Sequence, residues 1–283
     1  MTITDGWLNV FRLSADEPMP PVDPFLAPGA ELFGGGGGEA WVAMTLDDGL
    51  AAMDAAGCER ALLTVSDGGD SPFVTRSPSL DHGLDACARV PDRLRLAYAL
   101  ENVRSPAVVA RQIAAAGRHD EVVAVGVFPS YLGVDLDDRL MYPIYAACIE
   151  AGLVARINIG IVGPQWSSTP QDPMRLERIL LDFPELTVIG AHMGHPWEAL
   201  VMRLIMKFPR LHLMTSAYRP KYFDHELVRF MDSSRGRGRI MFASDFPMIP
   251  VAVAVDDARK LGLRDDSLDE YLGTALCRVL GWD

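Results

Sequence analysis

Leu186-Thr187-Val188-Ile189-Gly190-Ala191-His192 is an apolar run that closes on an imidazole, and Met193-Gly194-His195-Pro196-Trp197 follows it as a tight turn into a helical pattern. A short apolar, β-branched run bounded by Gly and Pro reads as a buried strand. A histidine is a costly ending for such a strand, and the turn after it presents its flanking side chains at one end of the sheet. His192 is therefore a candidate working residue, with a satisfied structural histidine as the bland alternative. His195 either contacts a substrate or caps the next helix.

The same strand-then-helix unit recurs along the chain. Apolar or β-branched runs cover Ile3 to Val10, Arg60 to Val65, Leu94 to Leu100, Val122 to Val127, Leu153 to Ile159, Leu186 to His192, Leu211 to Thr215 and Arg239 to Ser244. Helical patterns follow each, as in Met141 to Ala151, where Ile144, Ala147, Cys148 and Ala151 recur at i, i+3, i+4 and i+7. A last helix is expected over Ser267 to Leu280, with Ser267 as its cap and Glu270 three residues on.

Eight such repeats imply an α/β fold of the (β/α)8 TIM-barrel type in a single domain over residues 1–283. A doubly wound sheet would more often carry about six strands and a glycine-rich dinucleotide turn, and no GxGxxG follows a strand here. Residues 14–44 form one long Gly/Pro-rich loop after the first strand, including the run Gly34 to Gly38. In a barrel that loop overhangs the substrate face, so it reads equally as a lid or as a disordered excursion.

Residues that end barrel strands converge on one mouth. The polar or aromatic side chains so placed are Trp7, Asn9, Glu101, Arg156, Asn158, His192 and Asp245. Asp245 closes Ile240-Met241-Phe242-Ala243-Ser244 and serves equally as metal ligand, general base or acceptor for loop amides. Arg156 is a buried cation needing an anion if it faces the barrel interior, and otherwise a partner for Glu101 or Asp5. Arg219 and Lys221 are further cations in the loop after the seventh strand, while Tyr131 and Trp166 are candidate walls for a flat substrate.

The chain carries 26 Lys and Arg against 38 Asp and Glu, a formal charge of -12. That balance disfavours nucleic acid or an anionic membrane surface as a partner and leaves a small molecule as the expected one. Cys58, Cys87, Cys148 and Cys277 form no CxxC pair, and each is expected as a buried reduced thiol in a helix. No apolar run is long enough to span a bilayer, and the first residues read as a strand rather than a leader, so the expected compartment is the cytoplasm.

The segments Leu186 to Trp197, Thr215-Ser216-Ala217-Tyr218-Arg219-Pro220-Lys221-Tyr222 and Met241-Phe242-Ala243-Ser244-Asp245-Phe246-Pro247 resemble the amidohydrolase superfamily, in particular its aminocarboxymuconate semialdehyde decarboxylase-like group. The resemblance is strongest over Leu140 to Asp245. It implies a metal-dependent-hydrolase-like barrel whose members hold zinc or another divalent ion through an HxH pair on the first strand, a His after the fifth and an Asp after the eighth, with a catalytic His after the sixth. Barrels of this family often dimerise, so a homodimer is an expected assembly.

This chain departs from that pattern. Trp7 and Asn9 stand at the HxH positions and Asn158 at the fifth-strand position, whereas His192 and Asp245 match. An indole N–H cannot bind a metal, and amide oxygens are poor zinc ligands. The expectation is accordingly no cofactor, with zinc as the alternative. The leading functional expectation is a metal-independent hydrolase or lyase of a small organic acid, lactone or ester, with Asp245 as base and His192 as its partner. Arg156, Asn158, Asn9, Trp7 and His195 would contact substrate. The alternatives are a metal-dependent decarboxylase of an aromatic or unsaturated carboxylic acid, and a barrel that binds ligand without catalysis.

Overall fold

A computed structural model describes residues 2–20, 22, 38–66 and 77–282. Eight strands, β1 (Ile3–Leu8), β2 (Cys58–Val65), β3 (Leu94–Ala99), β4 (Val122–Val127), β5 (Val154–Asn158), β6 (Val188–Ala191), β7 (Leu211–Met214) and β8 (Ile240–Met241), lie in sequence order in one parallel sheet. The helices that pack outside them are α1 (Leu46–Ala56), α2 (Leu80–Arg89), α3 (Pro106–Ala116), α4 (Tyr142–Ala151), α5 (Arg175–Asp182), α6 (Glu198–Lys207), α7 (His225–Met231) and α8 (Val251–Arg259). The architecture is the expected (β/α)8 barrel.

The strands are buried on both faces, as a parallel sheet under helices must be. Alternation divides their side chains between two cores. Leu63, Leu96, Val125, Ile157, Val188 and Leu213 face outward to the helices and join Met53, Ile113 and Ile144. Leu62, Ala97, Ala124, Val154, Ile189, Met214 and Met241 fill the barrel interior, together with Trp7 and Phe128. On β5 this register points Val154, Arg156 and Asn158 to one side, so Arg156 takes the interior facing.

Only two residues of β8 form ladder pairs with β7, and the seam to β1 is closed by other means. Gly6 N–H donates to Phe242 O at 3.1 Å and Asn9 N–H to Phe246 O at 2.9 Å. The buried Asp5 carboxylate accepts from Trp7 N–H at 3.0 Å and from the backbone N–H and hydroxyl of Ser244. A Cβ at Gly6 would lie 2.5 Å from Met214 Cε and 3.0 Å from Phe242 O, so the seam requires glycine there.

The opposite end of the barrel is plugged by the C-terminal segment. After α9 (Asp265–Asp269), a π-helical stretch Glu270–Thr274 leads into α10 (Ala275–Leu280), whose Ala275, Leu276 and Leu280 join Trp282 in the interior core. The Arg60 and Arg95 guanidinium groups lie over the Trp282 ring at 5.4 and 5.2 Å. The expected Ser267 cap is corrected: the helix starts at Asp265, Arg264 occupies the cap position, and Ser267 is buried inside it. The helical assignment of Cys58 is also corrected, because that residue opens β2, where its thiol pairs with the Ile3 and Arg60 carbonyls. All four cysteines are free, and Cys277 is half-buried rather than buried.

Most of loop 14–44 lies outside the described residues. Its described base is pinned where Arg12 donates to Ala15 O, Glu17 O and Ala43 O at 3.2, 3.1 and 2.6 Å. Among the described residues no helix is long and apolar enough to cross a membrane.

Candidate active site

His192 follows β6 directly and Asp245 stands four residues after the end of β8, and both hold left-handed backbone, φ 60° and 59°. Met193 and Gly194 continue the turn at φ 61° and 66°. A non-glycine residue in that region costs about 1–3 kcal/mol and persists only where its surroundings over-determine it. Ser216, just past β7, supplies much of that determination. Its hydroxyl accepts from His192 N–H at 3.1 Å and lies 3.0 Å from Nδ1, whose distance to the Ser216 carbonyl is 3.3 Å. A proton on Nδ1, shared with that carbonyl, leaves Nε2 as the basic nitrogen.

A hydrogen-bonded row ties β1 to Asp245. Trp7 Nε1–H donates to Asn9 Oδ1 at 2.9 Å, and Asn9 Nδ2 donates to Asp245 Oδ1 at 2.8 Å and to Phe246 O at 3.1 Å. Asp245 Oδ2 stands 3.9 Å from His192 Nδ1. Burial pushes the Asp245 carboxyl up to about 6, opposed by the Asn9 hydrogen bond and the Arg156 charge. Burial also pulls His192 down to about 4, helped by Arg156, so the imidazole is neutral near pH 7.

Arg156 is the second charge of this mouth and is 1% exposed. Its guanidinium carbon lies 3.6 Å from the centroid of the Trp7 ring, a stacking worth about 2 kcal/mol when desolvated. Nη2 donates to Thr64 Oγ1 at 2.9 Å, while Nε and Nη1 have no hydrogen-bond partner among the described residues. Desolvation lowers its pKa to about 9, so it remains charged at neutral pH. Asp245 is the charged group whose field supports that cation; Asp5 is engaged instead with Trp7 and Ser244.

Trp7, Asn9, Phe11, Trp41, Thr64, Ser77, Phe128, Asp245, Pro247 and Met248 line one cavity at this end of the barrel. An aromatic row leads away from it: Trp7 to Phe128 at 6.0 Å, Phe128 to Tyr131 at 6.1 Å and Tyr131 to Trp166 at 4.5 Å between ring centroids. The structure thus brings together Trp7, Asn9, Arg156, His192 and Asp245. Asn158, two residues along β5 from Arg156 on the same face, is buried with Oδ1 unpartnered.

Other expected residues turn elsewhere. His195 places Nδ1 2.6 Å from Glu198 Oε1 at the start of α6, with half its side chain exposed. Arg219 is held by Asp257 through bonds of 2.7 and 3.1 Å, and Lys221 lies over the Tyr222 ring. Thr64 and Ser216 were not singled out from the sequence. Alternation with Leu62 at the end of β2 marks Thr64 as inward-facing, whereas nothing in the local pattern marks Ser216 as the tether of His192.

A comparison with curated proteins finds no match. Among solved structures, the uncharacterised TIM-barrel protein Bb4693 from Bordetella bronchiseptica superposes with a TM-score of 0.80 at 20% identity, covering 100% of this chain and 99% of its own. The 5-carboxyvanillate decarboxylase LigW from Sphingomonas paucimobilis gives 0.73 at 17% identity, covering 99% of each chain. A dihydroxybenzoic acid decarboxylase from Polaromonas sp. JS666, solved with bound manganese and the inhibitor 2-nitroresorcinol, gives 0.70 at 15% identity, covering 98% of this chain and 97% of its own. Identities this low establish the shared fold.

The manganese in that structure overturns the expectation that no cofactor takes part. The expectation weighed amide oxygens against zinc alone, whereas manganese accepts carboxylate and carbonyl oxygens readily. No group of three or more His, Cys, Asp or Glu side chains converges among the described residues. Oxygen donors are present in the Asp245 carboxylate and the unpartnered, buried Asn158 Oδ1. The family described as Amidohydrolase matches residues 30–275, most of the length of this barrel, and the chain is an enzyme of the amidohydrolase family.

Proposed function

We propose that this enzyme is a carbon–carbon lyase that releases carbon dioxide from an aromatic or unsaturated carboxylic acid, working with a divalent cation. The observation that carries the reading is the Asp245–His192 pair, 3.9 Å apart, at a mouth walled by Trp7, Phe128 and Trp41. It is supported by the activities of the two named barrels of similar fold, both decarboxylases of aromatic acids.

The residues that would hold the cation are Asp245, Asn158 and His192 through Nε2, a mixed oxygen and imidazole set that suits manganese better than zinc. The neighbouring Arg156 charge would oppose a cation at these residues. A cation held there would supply positive charge able to draw electron density from a substrate.

The remaining work falls to side chains. When the bond breaks, its electron pair stays on the substrate carbon, carbon dioxide departs and a proton takes its place. Asn9 engages Asp245 Oδ1 and leaves Oδ2 toward His192, so Oδ2 is the atom placed to hold and deliver that proton. Ser216 keeps the His192 ring from turning. The aromatic wall excludes water from a flat substrate.

Carbon dioxide release from a panel of hydroxylated benzoates and unsaturated acids, measured with added manganese, tests the reading. Release from at least one acid is expected. Silence across the panel removes the proposal.

A further inference from the structure

We propose that Arg156 and Thr64 form the carboxylate-binding pole of this mouth, taking the acid group of a flat aromatic substrate whose ring lies against Trp7 and Phe128. The inference rests on the proposed function for the kind of substrate, and goes beyond it by naming the residues that select an acid.

A guanidinium almost completely removed from water is tolerated only when its donors are met. Here one nitrogen, Nη2, is met by the Thr64 hydroxyl, while Nε and Nη1 are buried with no acceptor among the described residues. The side chain is nevertheless fixed, with the Trp7 ring 3.6 Å beneath it. At Gly126 on β4, an added Cβ would press on Phe128 at 3.2 Å and on the Ala99 backbone at 3.3 Å, and would reach ordinary contact with Nη2 at 3.4 Å.

A cation held rigidly with unmet donors is the arrangement that receives an anion well, because the ordering cost is already met in the fold. Both groups that hold it, Trp7 and Thr64, line the cavity. Thr64 Oγ1 accepts from Arg156, which leaves its own proton free to donate to a ligand oxygen. Arg156 thereby strengthens that donor as well as supplying charge.

Aromatic rings supply the other half of the preference. Phe128 meets Trp7 edge-on at 6.0 Å, and Trp41 and Phe11 stand along the same cavity. A planar ring bearing one carboxylate would meet the rings together with the Thr64 hydroxyl, which lines the cavity with the Arg156 charge directly behind it. An aliphatic diacid satisfies only the second, and a neutral arene only the first.

The test uses metal-free protein, with benzoate and its uncharged shape-mate benzamide as probes, read by isothermal titration and by the shift in melting temperature. Benzoate is expected to bind and to raise the melting temperature, with benzamide at least tenfold weaker. Arg156→Met is expected to weaken benzoate at least tenfold and to leave benzamide unchanged. Thr64→Val, which keeps the cation, is expected to weaken benzoate several-fold and guards against a folding defect in the arginine variant. Equal binding of the two probes, absence of benzoate binding, or benzoate affinity unchanged in both variants overturns the inference. Benzoate binding that depends on Arg156, in a protein that decarboxylates nothing when given manganese, overturns the proposed function instead.

Discussion

The two ends of this barrel each stack guanidinium on tryptophan, and they do so to opposite effect. At the base, Arg60 and Arg95 lie more than 5 Å from the Trp282 ring centroid, and Arg60 Nη1 donates to Trp282 O at 2.9 Å. Arg95 Nη1 donates to Leu94 O at 3.0 Å. At the mouth, Arg156 lies 3.6 Å from Trp7 with two nitrogens unmet, beside a carboxylate raised by burial and two left-handed residues. The base closes the hydrophobic core, with Trp282 Nε1 its one unmet donor among these groups. The mouth leaves polar capacity open where a substrate would complete it. The breaks at the mouth are of a charged group and of left-handed backbone, the kind of local inconsistency expected at a functional site.

The largest effect that would break this contrast is at Asp245. Asp245→Asn keeps shape and burial but removes the charge and the exchangeable proton. Turnover of the best acid should fall about 10² to 10⁴-fold, while circular dichroism stays native and the melting temperature falls because buried Arg156 loses the charge that supports it. Turnover within a few-fold of native would assign Asp245 to the fold rather than to the reaction.

Trp282→Ala should spare the reaction. Emptying the plug of the base should cost about 3–5 kcal/mol of stability, seen in denaturant titration, with activity per folded molecule retained. If that substitution abolishes turnover without lowering stability, the division between the two ends fails.

Ser216→Ala probes the tether at the mouth. Loss of its hydrogen bonds to His192 should cost about 1 kcal/mol of stability, and kcat should fall about five- to tenfold. A variant with native kcat would show that the His192 ring is held by other contacts.

His212 sharpens the account of the base. It is buried on β7, where desolvation and the nearby Arg239 and Arg278 charges bring its pKa down to about 3. The unfolded chain takes up that proton below about pH 6.5 while the folded chain does not, so stability falls as pH falls through the window from about 6.5 to 3. The slope attributable to this group approaches about 1.4 kcal/mol per pH unit. His212→Asn should flatten the curve in that window and leave it unchanged above pH 7.

Much of the fold is legible in the sequence because period-2 burial is written into the strands. Leu62 and Leu63, or Val188 and Ile189, separate into interior and outer cores as alternation requires. The same rule settles the facing of Arg156 once the β5 register is known. It fails at Cys58, which opens a strand although the residues before it read as helix, and at Ser267, which is buried inside the helix ahead of the π-helical stretch Glu270–Thr274.

The site was legible only in part. His192 and Asp245 announce themselves as polar endings to apolar strands. Thr64 hides because a threonine is ordinary in a strand, and only its contact with Arg156 gives it meaning. Ser216 reaches His192 from a neighbouring strand end, which no spacing within one segment encodes. The cofactor expectation failed for a chemical reason: residue types that disqualify zinc leave an oxygen-preferring ion open.

Decarboxylation at this mouth is tested most directly by running the reaction in heavy water with manganese-loaded enzyme and following substrate and product by NMR. It predicts carbon dioxide release and one deuterium on the carbon that carried the carboxyl group, with both signals lost on stripping the metal with a chelator and in Asp245→Asn. A product that keeps its carboxylate and gains the elements of water elsewhere would contradict it.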